Sequence, residues 1–282
     1  MRLLAALATL VLVAGCSSPE QPDPQISSST TGAATTTTTS ATPAAPAVVT
    51  PVLPSLEFTS CRNQGGVFSI PRAAALEVLP DGFEPQEATS ATSPPDSVVL
   101  YAIAVHCEAS IVDGVAGSAF DFAYAELAVT PSQAYAIDGI DDCTVPLAFI
   151  ATDAVVGAAL ADYGLGVAGA GSLDETAAQA EGTGSDLKSF KLGGASLEFI
   201  VGEASADTLT VGEGAFVLYG VQDRQVVSLL KGTAQGGSAH YAPALFQSAG
   251  IPALADAAGG AVGFGATGFN LRFEPLALPA MV

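Results

Sequence analysis

The chain has 282 residues, nearly half of them apolar, with 28 acidic side chains against 8 basic ones and a formal net charge of −20. A surface of that sign repels nucleic-acid phosphates and anionic lipid headgroups, which excludes nucleic acid as a partner and leaves any membrane attachment to some other device. Tryptophan is absent and glycine is plentiful, at 30 residues, which suits tight turns and closely packed strands. The acids are spread along the chain and read as a solvated surface. Attraction for a basic protein partner, in an interaction or structural role, is the alternative reading of the same charge.

Arg2 gives a positive start, and Leu3 to Val13 is apolar or small, with Thr9 as its polar exception. That run is too short to span a bilayer and has the dimensions of an export-signal core. Residues 16–54 form a low-complexity stretch that includes Ser27 to Thr31, the run Thr35 to Thr39 and scattered prolines. Such a segment cannot bury enough apolar surface to offset its ordering entropy, so a disordered tether is expected. Residues 55–282 are then expected to form one β-rich globular domain.

Within that domain, Arg72 to Leu79 reads as a short helix ended by the turn Leu79-Pro80-Asp81-Gly82. Val98 to Glu108 alternates with a period of two, with Val99, Tyr101, Ile103, Val105 and Cys107 on one face. Phe120 to Thr130 follows as a second strand, with Phe120, Phe122, Tyr124 and Glu126 on one face. Leu147 to Ile150 is a short apolar strand. Asp153 caps a helix that runs through Tyr163 and ends at Gly164. Asp174 to Gly184 reads as a loop. Strands are expected over Leu187–Leu192, Leu197–Val201, Ala215–Val221, Val226–Leu230 and Val262–Phe273, with a short helix over Ile251 to Ala258. Strands dominate and helices interrupt. The expected class is α+β, β-rich: a largely antiparallel, closed or nearly closed β-barrel with two or three short helices.

The segment Val13-Ala14-Gly15-Cys16 resembles the lipobox of bacterial lipoproteins. The resemblance implies that residues 1–15 are a signal peptide, that Cys16 carries a thioether-linked lipid and usually an acylated (palmitate-type) amino group, and that the protein is anchored in the cell envelope, extracytoplasmic. An outer membrane or cell-surface site is allowed, since Ser17 is not the Asp of an inner-membrane retention signal. Three cysteines then remain in an oxidising compartment, enough for one bridge. Cys61 and Cys143 both sit in loop-like surroundings and are the favoured pair. Cys107, in an apolar strand, reads as a small buried hydrophobe.

Three stretches resemble the acetoacetate decarboxylase-like family: the helix before Leu79-Pro80-Asp81-Gly82-Phe83-Glu84-Pro85; Phe122-Ala123-Tyr124-Ala125-Glu126 with Val129-Thr130-Pro131; and Asp153 through Gly166. The likeness covers about Gly65 to Pro275 and implies the barrel just described. In the family a glycine-rich segment after the second helix ends in Pro-Lys-Lys, and one lysine forms a Schiff base with a keto acid. Here that segment is Gly164-Leu165-Gly166-Val167-Ala168-Gly169, without lysine. Beyond the leader the only lysines are Lys188, Lys191 and Lys231, none adjacent to another.

Glu126 is the leading site candidate, because a carboxyl among aromatics is desolvated and suited to proton transfer or to holding a ligand's polar group. Its alternative is an ion pair with Arg72 or Arg272. Phe120, Phe122, Tyr124 and Glu126 together suggest a site for a small apolar or carbonyl-bearing ligand. Lys188 is a displaced Schiff-base candidate whose bland reading is a solvated edge lysine. His106, Cys107 and Glu108 lack any zinc spacing, since Cys107 points away from the other two, so no metal is expected. No Gly-x-Ser-x-Gly and no phosphate loop ending in Lys-Ser/Thr is present, and neither glycine run, Gly164 to Gly171 or Gly259 to Gly268, is a Gly-x-Gly-x-x-Gly unit after a strand with an acidic residue at the right distance, so no cofactor is expected. Enzyme activity is left open, with the missing Lys-Lys pair counting against it. The alternatives are a lyase or decarboxylase acting on a keto acid and the acidic interaction lipoprotein.

Overall fold

The computed structural model describes residues 53–89, 93–176, 186–201, 209–210, 212–242, 244–249 and 258–279. The expected leader, Cys16 and nearly all of the tether lie outside these residues, as does the helix expected over Ile251 to Ala258 except its last residue.

In chain order the elements begin with β1 (Leu56–Pro71), α1 (Arg72–Val78), β2 (Glu84–Pro85), β3 (Ser97–Cys107), β4 (Ala109–Val112), β5 (Val115–Ala116) and β6 (Phe120–Thr130). A 3-10 turn (Gln133–Tyr135) leads to β7 (Asp142–Ala151) and α2 (Ala154–Asp162). Then come β8 (Ser172–Thr176), β9 (Asp186–Leu192), β10 (Ala195–Val201), β11 (Leu209–Thr210) and β12 (Gly214–Gln222). The last are β13 (Gln225–Gln235), β14 (Ser238–Ala242), β15 (Ala244–Ala249) and β16 (Ala258–Leu276).

The main sheet runs β16-β13-β12-β7-β6-β3-β1, and β1 pairs back onto β16. These strands close a barrel, so the ladder has no open edge at that seam. Every step round the ring is antiparallel except β7 to β12, which is parallel at Asp142↔Phe216 to Thr144↔Leu218. Beyond Thr144 the place beside β7 is taken by Gly164–Gly171. Phe149 N–H donates to Val167 O at 2.8 Å and Ala151 N–H to Gly169 O at 3.1 Å. A second sheet, β15-β10-β9-β8, adds Phe190 and Leu197 to the apolar cluster outside the barrel wall.

Two clusters follow from strand alternation. Ile103, Val105, Phe120, Phe122, Phe149, Leu218 and Phe264 face one way. Ala102, Ala104, Ala123, Ala125, Leu127, Val217 and Tyr219 face the other, where Leu79 and Phe83 cover them. α2 begins as the sequence implies: Asp153 Oδ1 accepts from the Val155 and Val156 amides at 2.8 and 2.9 Å. It packs Val156, Ala159 and Leu160 into the first cluster, while Val155 is exposed.

One irregularity shapes the interior. The β6–β7 register jumps between Ala125↔Ala148 and Glu126↔Pro146, so Leu147 is the extra residue of a bulge. On its two sides β7 changes the parity of its inner face: Phe149 and Ala151 point inward after the bulge, Asp142 and Thr144 before it.

The disulfide departs from expectation. Cys61 bonds to Cys107, not to Cys143. Cys61 lies on β1 beside Arg62, which pairs with His106 of β3, so Cys61 and Cys107 are cross-strand neighbours with Cα atoms 4.1 Å apart. Cys143 is a buried thiol on the outward face of β7, and the barrel wall separates it from Cys61.

Candidate functional site

The inward faces of β3, β6, β7, β12 and β16 surround a cavity of about 220 Å³. The register places its residues in rows. Tyr101 stands opposite Glu126, Ile103 opposite Tyr124 and Val105 opposite Phe122, and Tyr124 stands opposite Phe149 on β7. Phe122, Tyr124 and Phe149 stack with centroids 5.2–6.0 Å apart and planes within 16° of parallel. Phe216, Phe264 and Phe273 line the far side.

Of the residues singled out in the sequence, Phe122, Tyr124 and Glu126 line this cavity. Phe120 belongs to the same strand face but sits beyond the cavity, edge-on to Phe58 at 4.9 Å and stacked on Phe122 at 5.6 Å.

Glu126 is 7% exposed. Its Oε2 accepts a 2.9 Å hydrogen bond from Thr144 Oγ1. Neither arginine considered from the sequence reaches it: Arg72 pairs with Glu84 at 2.7 Å, and Arg272 pairs with Glu57 and Glu274. Burial pushes the Glu126 carboxyl up to about 8. The Asp142 charge adds to the rise, and the Thr144 hydrogen bond opposes it. Glu126 is therefore mainly protonated at neutral pH and presents a hydroxyl donor.

Asp142 is the residue that sequence reasoning missed. It lines the same cavity, and burial pushes its carboxyl up to about 7. It is the first residue of β7, two positions before inward-facing Thr144, although the surroundings of Cys143 read as loop-like in the sequence. The available signal was the alternation Asp142–Thr144. Tyr101 and Tyr124 complete the polar patch. Both phenols are raised, first by burial and then by these two carboxyls, so both stay protonated.

The lysines are elsewhere. Lys188 lies on β9, opposite Phe199 and Glu175; its side chain is outside the described residues. Lys191 Nζ is 3.1 Å from Asp174 Oδ2. Lys231 lies on β13, opposite Val217 and Glu274. His106 and Glu108 share a face as expected, and His106 Nδ1 is 2.9 Å from Asp121 Oδ1, on the opposite side of the strand from the cavity.

No protein-family profile matches this chain, and no curated protein matches it in sequence. Solved structures do match in fold. An acetoacetate decarboxylase from Legionella pneumophila superposes with a TM-score of 0.54 at 11% identity, over 84% of this chain and 92% of that one. A second acetoacetate decarboxylase structure gives 0.51 at 10% identity, over 80% and 88% of the two chains. At such identities the likeness speaks for architecture alone. The residues quoted from the sequence and these superpositions agree: the chain has an acetoacetate decarboxylase-like fold.

Proposed function

We propose that this chain is a lipid-anchored protein of the cell envelope whose barrel binds a small apolar or carbonyl-bearing ligand without turning it over. One observation carries the ligand reading: an apolar, aromatic-lined cavity of about 220 Å³ with a buried, proton-bearing Glu126 in its wall. An apolar cavity of about 150 Å³ accommodates benzene, so this one suits a single ring or short acyl chain with a polar end. The protonated carboxyl of Glu126 donates to a carbonyl oxygen of such a ligand, and the apolar walls take its body.

The non-catalytic part of the reading is supported by the sequence. The stretch that would carry the lysine pair runs Gly164 to Gly169 without one. The envelope location rests on the lipobox-like Val13 to Cys16, and the Cys61–Cys107 bridge supports it, because such bonds persist in oxidising compartments.

Native mass spectrometry of the full-length chain, incubated with an envelope extract and split into untreated and borohydride-reduced halves, tests this. The expected result is a mass shift lost on denaturation and identical in both halves. A reduced covalent adduct on Lys188, Lys191 or Lys231 would overturn it in favour of Schiff-base chemistry. The raised carboxyl of Glu126 favours a second reading, proton transfer to or from a keto acid. That reading requires turnover of a member of a keto-acid panel, lost in Glu126→Gln.

A further inference from the structure

The ligand's chemistry can be narrowed, resting on the binding reading above. β6 and β7 bring Glu126 and Asp142 to one wall of the cavity, with Thr144 alongside, its hydroxyl committed to Glu126. Tyr101 faces Glu126 from β3, and Tyr124 stands two residues before it on β6. The remaining wall is largely phenylalanine and aliphatic side chains.

Among the described residues, no lysine or arginine lines this space. Arg62 is exposed, in the row of His106 and Thr267 on the outer side of the wall. Lys231 shares its strand face with Leu229 of the outer cluster, not with Leu230. His240 borders the lining, but its ring lies over Gly265, on the side opposite inward-facing Phe264 and Ala266. A Cβ at Gly265 would sit 2.4 Å from the ring's Nε2. With the His240 ring turned to the outer side, the ionisable groups that face a ligand among the described residues are therefore the carboxyls of Glu126 and Asp142, with the protonated phenols of Tyr101 and Tyr124 beside them.

We infer that Glu126 and Asp142 form a charge filter: the cavity admits uncharged carbonyl compounds with an apolar body, such as ketones, esters or amides, and rejects carboxylates, with Asp142 as the residue that sets this specificity. Glu126 is the more deeply buried and keeps its proton, so it serves as donor to the ligand's carbonyl oxygen. Asp142 ionises first, near pH 7, so by pH 8 it bears the negative charge in most of the population while Glu126 still holds its proton in about half. A carboxylate drawn into the cavity would lose its water and meet that charge in a low dielectric, with no cation to offset it. An uncharged carbonyl meets no such penalty.

Three probes of one size test the filter by calorimetry on the full-length chain at pH 8, where Asp142 is mostly ionised: acetophenone, benzoate and benzylamine. Acetophenone is expected to bind at least about ten-fold more tightly than benzoate, a modest demand on one charge pair inside a protein. In Asp142→Asn the gap is expected to shrink to about three-fold or less, through tighter benzoate binding. Glu126→Leu removes the donor, so it is expected to weaken acetophenone binding about three- to ten-fold. Should Asp142→Asn fail to fold, lowering the pH of the unmodified chain to about 5.5 protonates both carboxyls while benzoate stays ionised, and the same narrowing is expected. Benzoate binding equal to acetophenone, a gap unmoved by Asp142→Asn or by acid, or tighter binding of benzylamine than of acetophenone overturns the filter and leaves the binding cavity standing. Failure of all three probes to bind overturns the binding reading itself, and the filter with it.

Discussion

Thr144 Oγ1 donates to Glu126 Oε2 at 2.9 Å across the β6–β7 pair, at the point where the two strands lose their regular register. That single hydrogen bond favours the ionised carboxylate, yet burial and the neighbouring Asp142 outweigh it, and Glu126 holds its proton to about pH 8. The balance matters because a buried carboxyl with one donor and no cation is more stable neutral than charged.

The same balance fixes how stability depends on pH. Glu126 is raised from 4.5 to about 8 and Asp142 from 3.8 to about 7. Between those limits the folded chain binds more protons than the unfolded one, so stability falls as pH rises through the window and is fully retained below about pH 4. Thermal melts at pH 5 and pH 8.5 should show a lower Tm at the higher pH, with a loss of roughly 6 kcal/mol from the two groups together. Glu126→Gln should reduce the dependence and leave the part that belongs to Asp142. A Tm that climbs from pH 5 to pH 8.5 would contradict the assignment.

The cross-strand bridge should matter to stability in its own right. Cys61 and Cys107 are 46 residues apart in sequence, and closing a loop of that order contributes about 2–4 kcal/mol. Denaturation of a Cys61→Ala/Cys107→Ala double variant should show a loss in that range. Peptide mapping without reductant should recover Cys61 linked to Cys107, with Cys143 alkylated only after unfolding. A peptide linking Cys143 to either of the others would refute the pairing.

Gly157 sits inside α2, where alanine normally gains up to about 1 kcal/mol over glycine. Here a Cβ would approach Ala170 N and Gly169 C to 2.5 Å. Those are backbone atoms of the segment held against β7, which cannot yield as a side chain tip can. Overpacking of this kind costs about 1–3 kcal/mol, so Gly157→Ala should destabilise. Gly194→Ala, whose Cβ would meet nothing within 4 Å, is the control and should change stability little.

Asp153→Ala removes both hydrogen bonds to the first turn of α2. A loss of about 1 kcal/mol is expected, with Asp153→Asn recovering most of it because an amide oxygen also caps. Equal losses in both variants would point to charge rather than capping.

Much of this architecture is legible in the sequence where the signals are local. β6 matches its period-two reading, Phe120–Thr130, because each face is buried by a different cluster. The Asp153 cap is legible for the same reason. β1, Leu56–Pro71, is not: Thr59, Ser60, Arg62, Asn63 and Gln64 break the apolar pattern, Ser60 takes φ 51, and register shifts flank Cys61. Its pairings with β3 and β16 hold it in place, and those partners lie about 40 and 200 residues away in sequence. Of β7 only the apolar run Leu147 to Ile150 is legible, because Pro146 interrupts the strand pattern, and the bulge that accommodates the proline is invisible in the sequence. That hid Asp142 and, with it, half of the candidate site.

The bulge at Leu147 also has an evolutionary reading. Asp142 and Thr144 face the cavity, while Cys143 and Val145 face outward, because one extra residue separates them from Phe149. Remove that residue and the first part of the strand inverts: a thiol and a valine line the chamber, and a carboxyl and a hydroxyl turn out of it. A single-codon deletion would thus take Asp142 and Thr144 out of the chamber, leaving Glu126 as its one carboxyl among the described residues, without altering any other position.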